Sequence, residues 1–137
     1  MKSGPVPVRI LRAAQFHEFV SQLLDWGRQG EMAYLPKMRT QLVAARTVAE
    51  ELARLATGAA AAANGHPVEV AGPREEALAE AARRLVARRG EALRIEAVTN
   101  PSDPDAGLYA EGALLPGPGA ILGGPTFDEW LQSIPAR

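Results

Sequence analysis

A chain of 137 residues, 47% hydrophobic and 23% charged, is long enough for one core and too apolar to remain disordered. Fifteen basic residues against sixteen acidic ones leave a net charge of −1, so no overall field draws the protein to a nucleic-acid backbone or an anionic membrane. There is no cysteine, which excludes disulfides, thiolate catalysis and zinc–thiolate sites.

We read one α+β domain over residues 1–137, with a Pro/Gly-rich loop at 99–125. The opening "MKSGPVPVRILR" breaks its apolar residues with prolines and arginines, so no signal peptide is expected, and "LATGAAAAANGHPV" is too weakly apolar to span a bilayer. A cytoplasmic protein is the expectation.

The proline-led, β-branched stretch Val6 to Leu11 predicts an edge strand. From Ala13 to Arg28, Phe16, Phe19, Val20, Leu23 and Leu24 recur at helical spacing and predict an amphipathic helix ended by Gly27 to Gly30. A second, longest helix is predicted from Pro36 to about Ala63, with Asn64-Gly65 as its left-handed stop. Along it Met38, Leu42, Ala45, Ala49, Leu52 and Ala56 alternate four and three apart, a seam of heptad type whose alanines would let another backbone approach.

Val68 to Val70 predicts a short strand, and Pro73 opens a helix with Glu75 and Glu76 in its first turn. Arg83, Arg84, Arg88 and Arg89 close that helix before Gly90, and Leu93, Ile95 and Ala97 alternate in the strand that follows. The crossover is long enough for these two strands to lie parallel in one β-α-β unit. Thr126, followed three residues later by Glu129, predicts a capping box and a short final helix carrying Phe127, Trp130, Leu131 and Ile134. The order is therefore β-α-α-β-α-β plus a short C-terminal helix, with one long and two medium helices on a small mixed sheet.

The segment "LLPGPGAILGGP" contains Gly117, Gly119 and Gly123, close in spacing to a dinucleotide fingerprint. The fourteen residues after Gly123 are too few for the β-α-β unit a fingerprint must open, and no Gly-Lys-Ser/Thr exists for a phosphate loop. Pro116, Pro118 and Pro125 stiffen it, so the expectation is a shaped loop exposing Leu114, Leu115, Ile121 and Leu122.

His17-Glu18 has the start of a zinc-protease helix, but Ser21 stands where the second histidine belongs, and His66 is far away in sequence. His17 is expected on a half-exposed polar helix face beside Phe16. Asp103, Asp105 and Glu111 depart from calcium-loop spacing and read as turn chemistry, so neither metal nor cofactor is expected. The pairs Glu50-Glu51 and Glu75-Glu76 point about 100° apart on a helix and cannot share a proton. No nucleophile, base and orienting acid assemble, so nothing argues for an enzyme.

"VRIL", the helix around "QFHEFVSQLL" and the alanine-rich helix closing on "AEELARLATGAAAAANG" resemble, in order, the small head–tail junction or tail-completion (neck) proteins of siphophages. Thr57-Gly58, Tyr109-Ala110 and Pro125 to Leu131 are similar to that family's turn, tyrosine-alanine segment and C-terminal helix. The resemblance implies a non-enzymatic, virion-associated ring subunit that contacts copies of itself and other virion proteins.

The leading expectation is thus a self-associating assembly subunit with an interface of Met38, Leu42, Ala45, Ala49, Leu52, Leu114, Leu115, Ile121, Leu122 and Trp130. A second is a small-molecule enzyme or binder using His17, Arg94 or Tyr109 between sheet and helices. The third is a nucleic-acid-binding regulator through Arg83, Arg84, Arg88 and Arg89, disfavoured by the 5% aromatic content.

Overall fold

The structure is a computed structural model and describes residues 10–57 and 68–134. Most of the strand expected at Val6 to Leu11, the Asn64-Gly65 stop and His66 lie outside these residues. The class is α+β. In chain order the strands are β1 (Leu11–Ala13), β2 (Arg28–Gln29), β3 (Met32–Pro36), β4 (Arg39–Thr40), β5 (Val68–Ala71), β6 (Glu76–Ala77), β7 (Arg94–Val98) and β8 (Ile121–Leu122). The helices are α1 (His17–Gly27), α2 (Ala45–Ala56), α3 (Leu78–Arg89), α4 (Ala106–Glu111) and α5 (Phe127–Ser133).

Among the described residues the strands form three small sheets. One is parallel, in the order β1-β5-β8; the second runs β2-β3-β7, with a β2–β3 hairpin and a parallel β3–β7 pair; the third is the antiparallel pair β4-β6. A lone parallel bridge joins Phe16 to Val43, where the Val43 N–H donates to the Gln15 carbonyl and the His17 N–H to the Val43 carbonyl. That last bond satisfies one of the amide donors left open in the first turn of α1.

The long helix expected from Pro36 is corrected. Pro36 ends β3, residues 39–40 form β4, and helix begins only at Ala45, so Met38 and Leu42 stand outside it and the heptad seam does not exist as a seam. Tertiary pairing overrides local preference here: the Lys37 N–H donates to Val98, the Leu78 N–H to Met38 and the Gly72 N–H to Gln41. Thr40 and Val43 are β-branched and suit that extended path.

The β-α-β unit is corrected too. β5 and β7 flank α3 but belong to different sheets, and each finds its parallel partner elsewhere, β5 in β1 and β7 in β3. The helix begins at Leu78 rather than Pro73, because Glu76 pairs with Thr40 in β6. Its end is as expected: Arg88 and Arg89 fill the last turn and Gly90 takes the left-handed conformation at φ 70.

The main core gathers one face of α1 (Val20, Leu24), the inward side of β3 (Ala33, Leu35), Leu42, one face of α3, and Phe127 and Leu131 of α5. A second cluster, Val43, Val48 and Val70, sits under the β1-β5-β8 sheet. Alternation along β3 decides its placement: Ala33 and Leu35 are fully buried, while Tyr34 and Pro36 face outward. Gly72 lets two segments touch, since a Cβ there would collide with the Leu42 carbonyl.

Candidate functional site

The expected capping box is present: the Thr126 hydroxyl accepts from the Glu129 N–H at 3.1 Å and the Glu129 carboxylate accepts from the Thr126 N–H at 2.9 Å. It starts α5 so that Phe127 and Leu131 enter the core beside α3. Thus anchored, the preceding proline-glycine segment is a fixed loop. β8 pairs with β5, the Gly117 N–H donates to Glu69 at 3.0 Å, and the Gly123 N–H donates to Ala71. Gly124, at φ 81, packs so closely on Thr47 that a side chain would clash.

The same segment captures His17, and here the expectation of a half-exposed histidine is corrected. His17 is fully buried, and its Nε2–H donates to the Pro125 carbonyl at 3.0 Å. Its ring packs on Phe127 and Trp130, each at a centroid separation of 5.5 Å, the second nearly parallel. Among the described residues Nδ1 has no hydrogen-bond partner. Burial pushes the imidazole pKa below its ordinary value, against the raising pull of the Pro125 carbonyl and of Glu18 and Glu76. Burial thus favours the neutral ring, which clamps the C-terminal segment through Pro125.

Next to it lies the molecule's one buried carboxylate among the described residues. Glu76 is 5% exposed and receives the Arg84 guanidinium at 2.7 Å, with Arg74 at 3.6 Å. Arg84 also reaches Asp128 at 2.6 Å and lies 5.8 Å from the Phe127 ring centroid. Burial opposes its charge, but the hydrogen bonds to Glu76 and Asp128 prevail and raise its pKa. This network ties β6, α3 and α5 together, and residue spacing alone does not reveal it.

The remaining arginines of that helix are also engaged within the molecule. Arg83 meets Glu80 at 2.5 Å and the Ile95 carbonyl at 3.2 Å, Arg88 the Ile134 carbonyl at 2.9 Å, and Arg89 the Ser21 hydroxyl at 2.8 Å. They form no free basic stripe of the kind that tracks a phosphate backbone.

Among the described residues the candidates His17, Arg94 and Tyr109 do not converge. His17 is in the core at the start of α1, Arg94 is exposed on β7, and Tyr109 is half-buried on α4. An open cleft of about 650 Å³ runs beside Ala13 to Phe16 and along α1 past Phe19 and Asp25. A cleft of about 480 Å³ lies between α2 and the Gly124 to Ser133 segment, floored by Thr47 and Trp130. Neither is lined by His17, Arg94 or Tyr109. Asp103 and Asn100 cap their own loop, accepting from the Asp105 and Ser102 N–H groups at 2.9 Å. Among the described residues no three histidine or carboxylate groups are placed to hold a metal ion.

The expected interface residues divide. Leu42 is sealed in the core; Met38 and Trp130 are half-buried against it; Ala45, Leu114 and Leu115 are half-buried. Ala49 and Leu52 on α2, and Ile121 and Leu122 on β8, remain exposed, the last at 52%. Both three-stranded sheets end in exposed strands, β8 in one and β7 in the other. Trp26, at 69% exposure, adds a large apolar side chain at the end of α1.

The fold and these surfaces define an α+β protein with exposed strand edges and exposed apolar side chains, and no catalytic group is assembled among the described residues. No described helix is long and apolar enough to cross a membrane. Comparison with family models, with curated proteins and with solved structures finds no match to this chain.

Proposed function

We propose that the protein is a non-enzymatic assembly subunit that binds copies of itself, and that its setting is a virion head–tail junction. The observation that carries the first part is the pairing of exposed apolar side chains with open strand edges, above all Ile121 and Leu122 on β8. An edge strand presents unpaired backbone donors and acceptors, and apolar side chains beside it favour cover by another polypeptide. The virion setting rests on the ordered resemblance of "QFHEFVSQLL", "AEELARLATG" and Tyr109-Ala110 to neck proteins. A stable interface buries about 800 Å² on each partner, and the exposed side of α2 with β8 is a surface of suitable kind.

Multi-angle light scattering of the purified chain from micromolar to millimolar concentration tests the reading. The expected result is a molar mass above that of the 14.5 kDa chain, rising with concentration. A strict monomer throughout overturns it.

A further inference from the structure

We infer that β7 is a self-complementary edge that pairs antiparallel with β7 of a second copy about a twofold axis through Ile95. The inference rests on the self-association reading above and adds to it a contact at a second open edge, in a different sheet from β8. β7 is the outer strand of β2-β3-β7, and Arg94, Glu96 and Ala97 are exposed on it.

The register decides which backbone groups are open. The Arg94 N–H donates inward to the Glu31 carbonyl, and the Val98 carbonyl accepts inward from the Lys37 N–H. Backbone direction alternates along a strand, so Arg94, Glu96 and Val98 spend their groups on β3, while those of Ile95 and Ala97 point away from it. Arg83 confirms that side, reaching round from α3 to the Ile95 carbonyl at 3.2 Å. One lone pair of that oxygen stays available.

A twofold axis through Ile95 makes Ile95 face its own copy as a hydrogen-bonded pair, with the Leu93 and Ala97 positions as the next such pair. Arg94 then lies opposite Glu96 of the second copy, and Glu96 opposite its Arg94. These are the non-hydrogen-bonded positions, where facing side chains come closest, about 4.5 Å between Cα atoms. Within one copy neither Arg94 nor Glu96 makes an ion pair among the described residues. Two opposite charges, two positions apart on one face of an open edge, each gain an opposite charge directly across from them when the strand meets itself in this register. A twofold contact also closes, so this edge yields a dimer and not a fibre.

Charge exchange tests the register. Glu96→Arg sets arginine against Arg94 of the second copy at both positions, and Arg94→Glu sets glutamate against Glu96; each single variant is expected to weaken the dimer at least tenfold by sedimentation velocity. The double exchange R94E/E96R restores it, and mixing the two single variants produces a one-to-one heterodimer. Ala97→Pro removes an outward N–H without cutting the β3–β7 ladder, and is expected to dissociate the dimer with the far-ultraviolet circular dichroism unchanged.

If the wild type associates but all four variants associate equally, the β7 contact is wrong and the self-association reading survives. If the wild type is monomeric at millimolar concentration, both fall. If the single variants dissociate but neither the double exchange nor the mixture recovers pairing, the antiparallel register is wrong.

Discussion

The Nε2–H of His17 and the carbonyl of Pro125, 108 positions apart in sequence, meet at 3.0 Å. This bond joins the first turn of α1 to the segment that leads into α5, and it fixes the neutral tautomer with its proton on Nε2. A second proton would have to enter at Nδ1, which is buried and has no acceptor among the described residues. A pH dependence of stability follows.

The folded pKa of His17 is lowered by burial, so below the ordinary imidazole range the unfolded chain binds the proton more readily than the folded one. Stability from this group is complete above about pH 6.5 and is lost as pH falls through and below that value. The nearby carboxylates Glu18 and Glu76 oppose the shift without reversing it. Thermal melts at pH 8 and pH 5.5 are expected to show a larger drop for wild type than for His17→Gln, which keeps a donor near the Nε2 position but cannot titrate. Equal drops would show that His17 is not the group responsible.

Breaking the Glu76–Arg84 pair is expected to cost more than exchanging both partners. Arg84→Met leaves a 5% exposed carboxylate with Arg74 as its remaining cation, at 3.6 Å. Loss of one member of a fully buried pair costs about 3–5 kcal/mol, and because Arg84 is a third exposed the expected loss here is about 2 kcal/mol. The double substitution Arg84→Met with Glu76→Gln removes the stranded charge and recovers part of that loss. Urea denaturation midpoints at constant slope provide the comparison.

Two glycine substitutions are expected to act in opposite directions. Gly72→Ala drives a methyl into the Leu42 backbone carbonyl, where no side chain can swing away, and should cost about 2 kcal/mol through backbone displacement. Gly107→Ala meets nothing within 4 Å in helix α4 and should stabilise by about 0.5 kcal/mol, by lowering the entropy of the unfolded chain. Chemical denaturation of both variants measures the pair.

Local signals carried the elements whose partners are close in sequence. The Thr126–Glu129 box, the glycine after Arg88-Arg89, the apolar stripe of α1 and the short strand at Val68 were all legible, because capping, chirality and periodicity act within a turn or two. The α+β class follows from those same pieces. Tertiary structure alone decided the rest. Residues 36–44 look helical by composition but are drawn into β3, β4 and the Val43 bridge by β7, β6 and Gln15. Glu76 leaves its expected helix to meet Arg84, and His17 turns inward because Pro125, Phe127 and Trp130 close over it. A strand's choice of partner and the burial of a polar side chain depend on groups brought together from distant parts of the chain, and no window of neighbouring residues contains them.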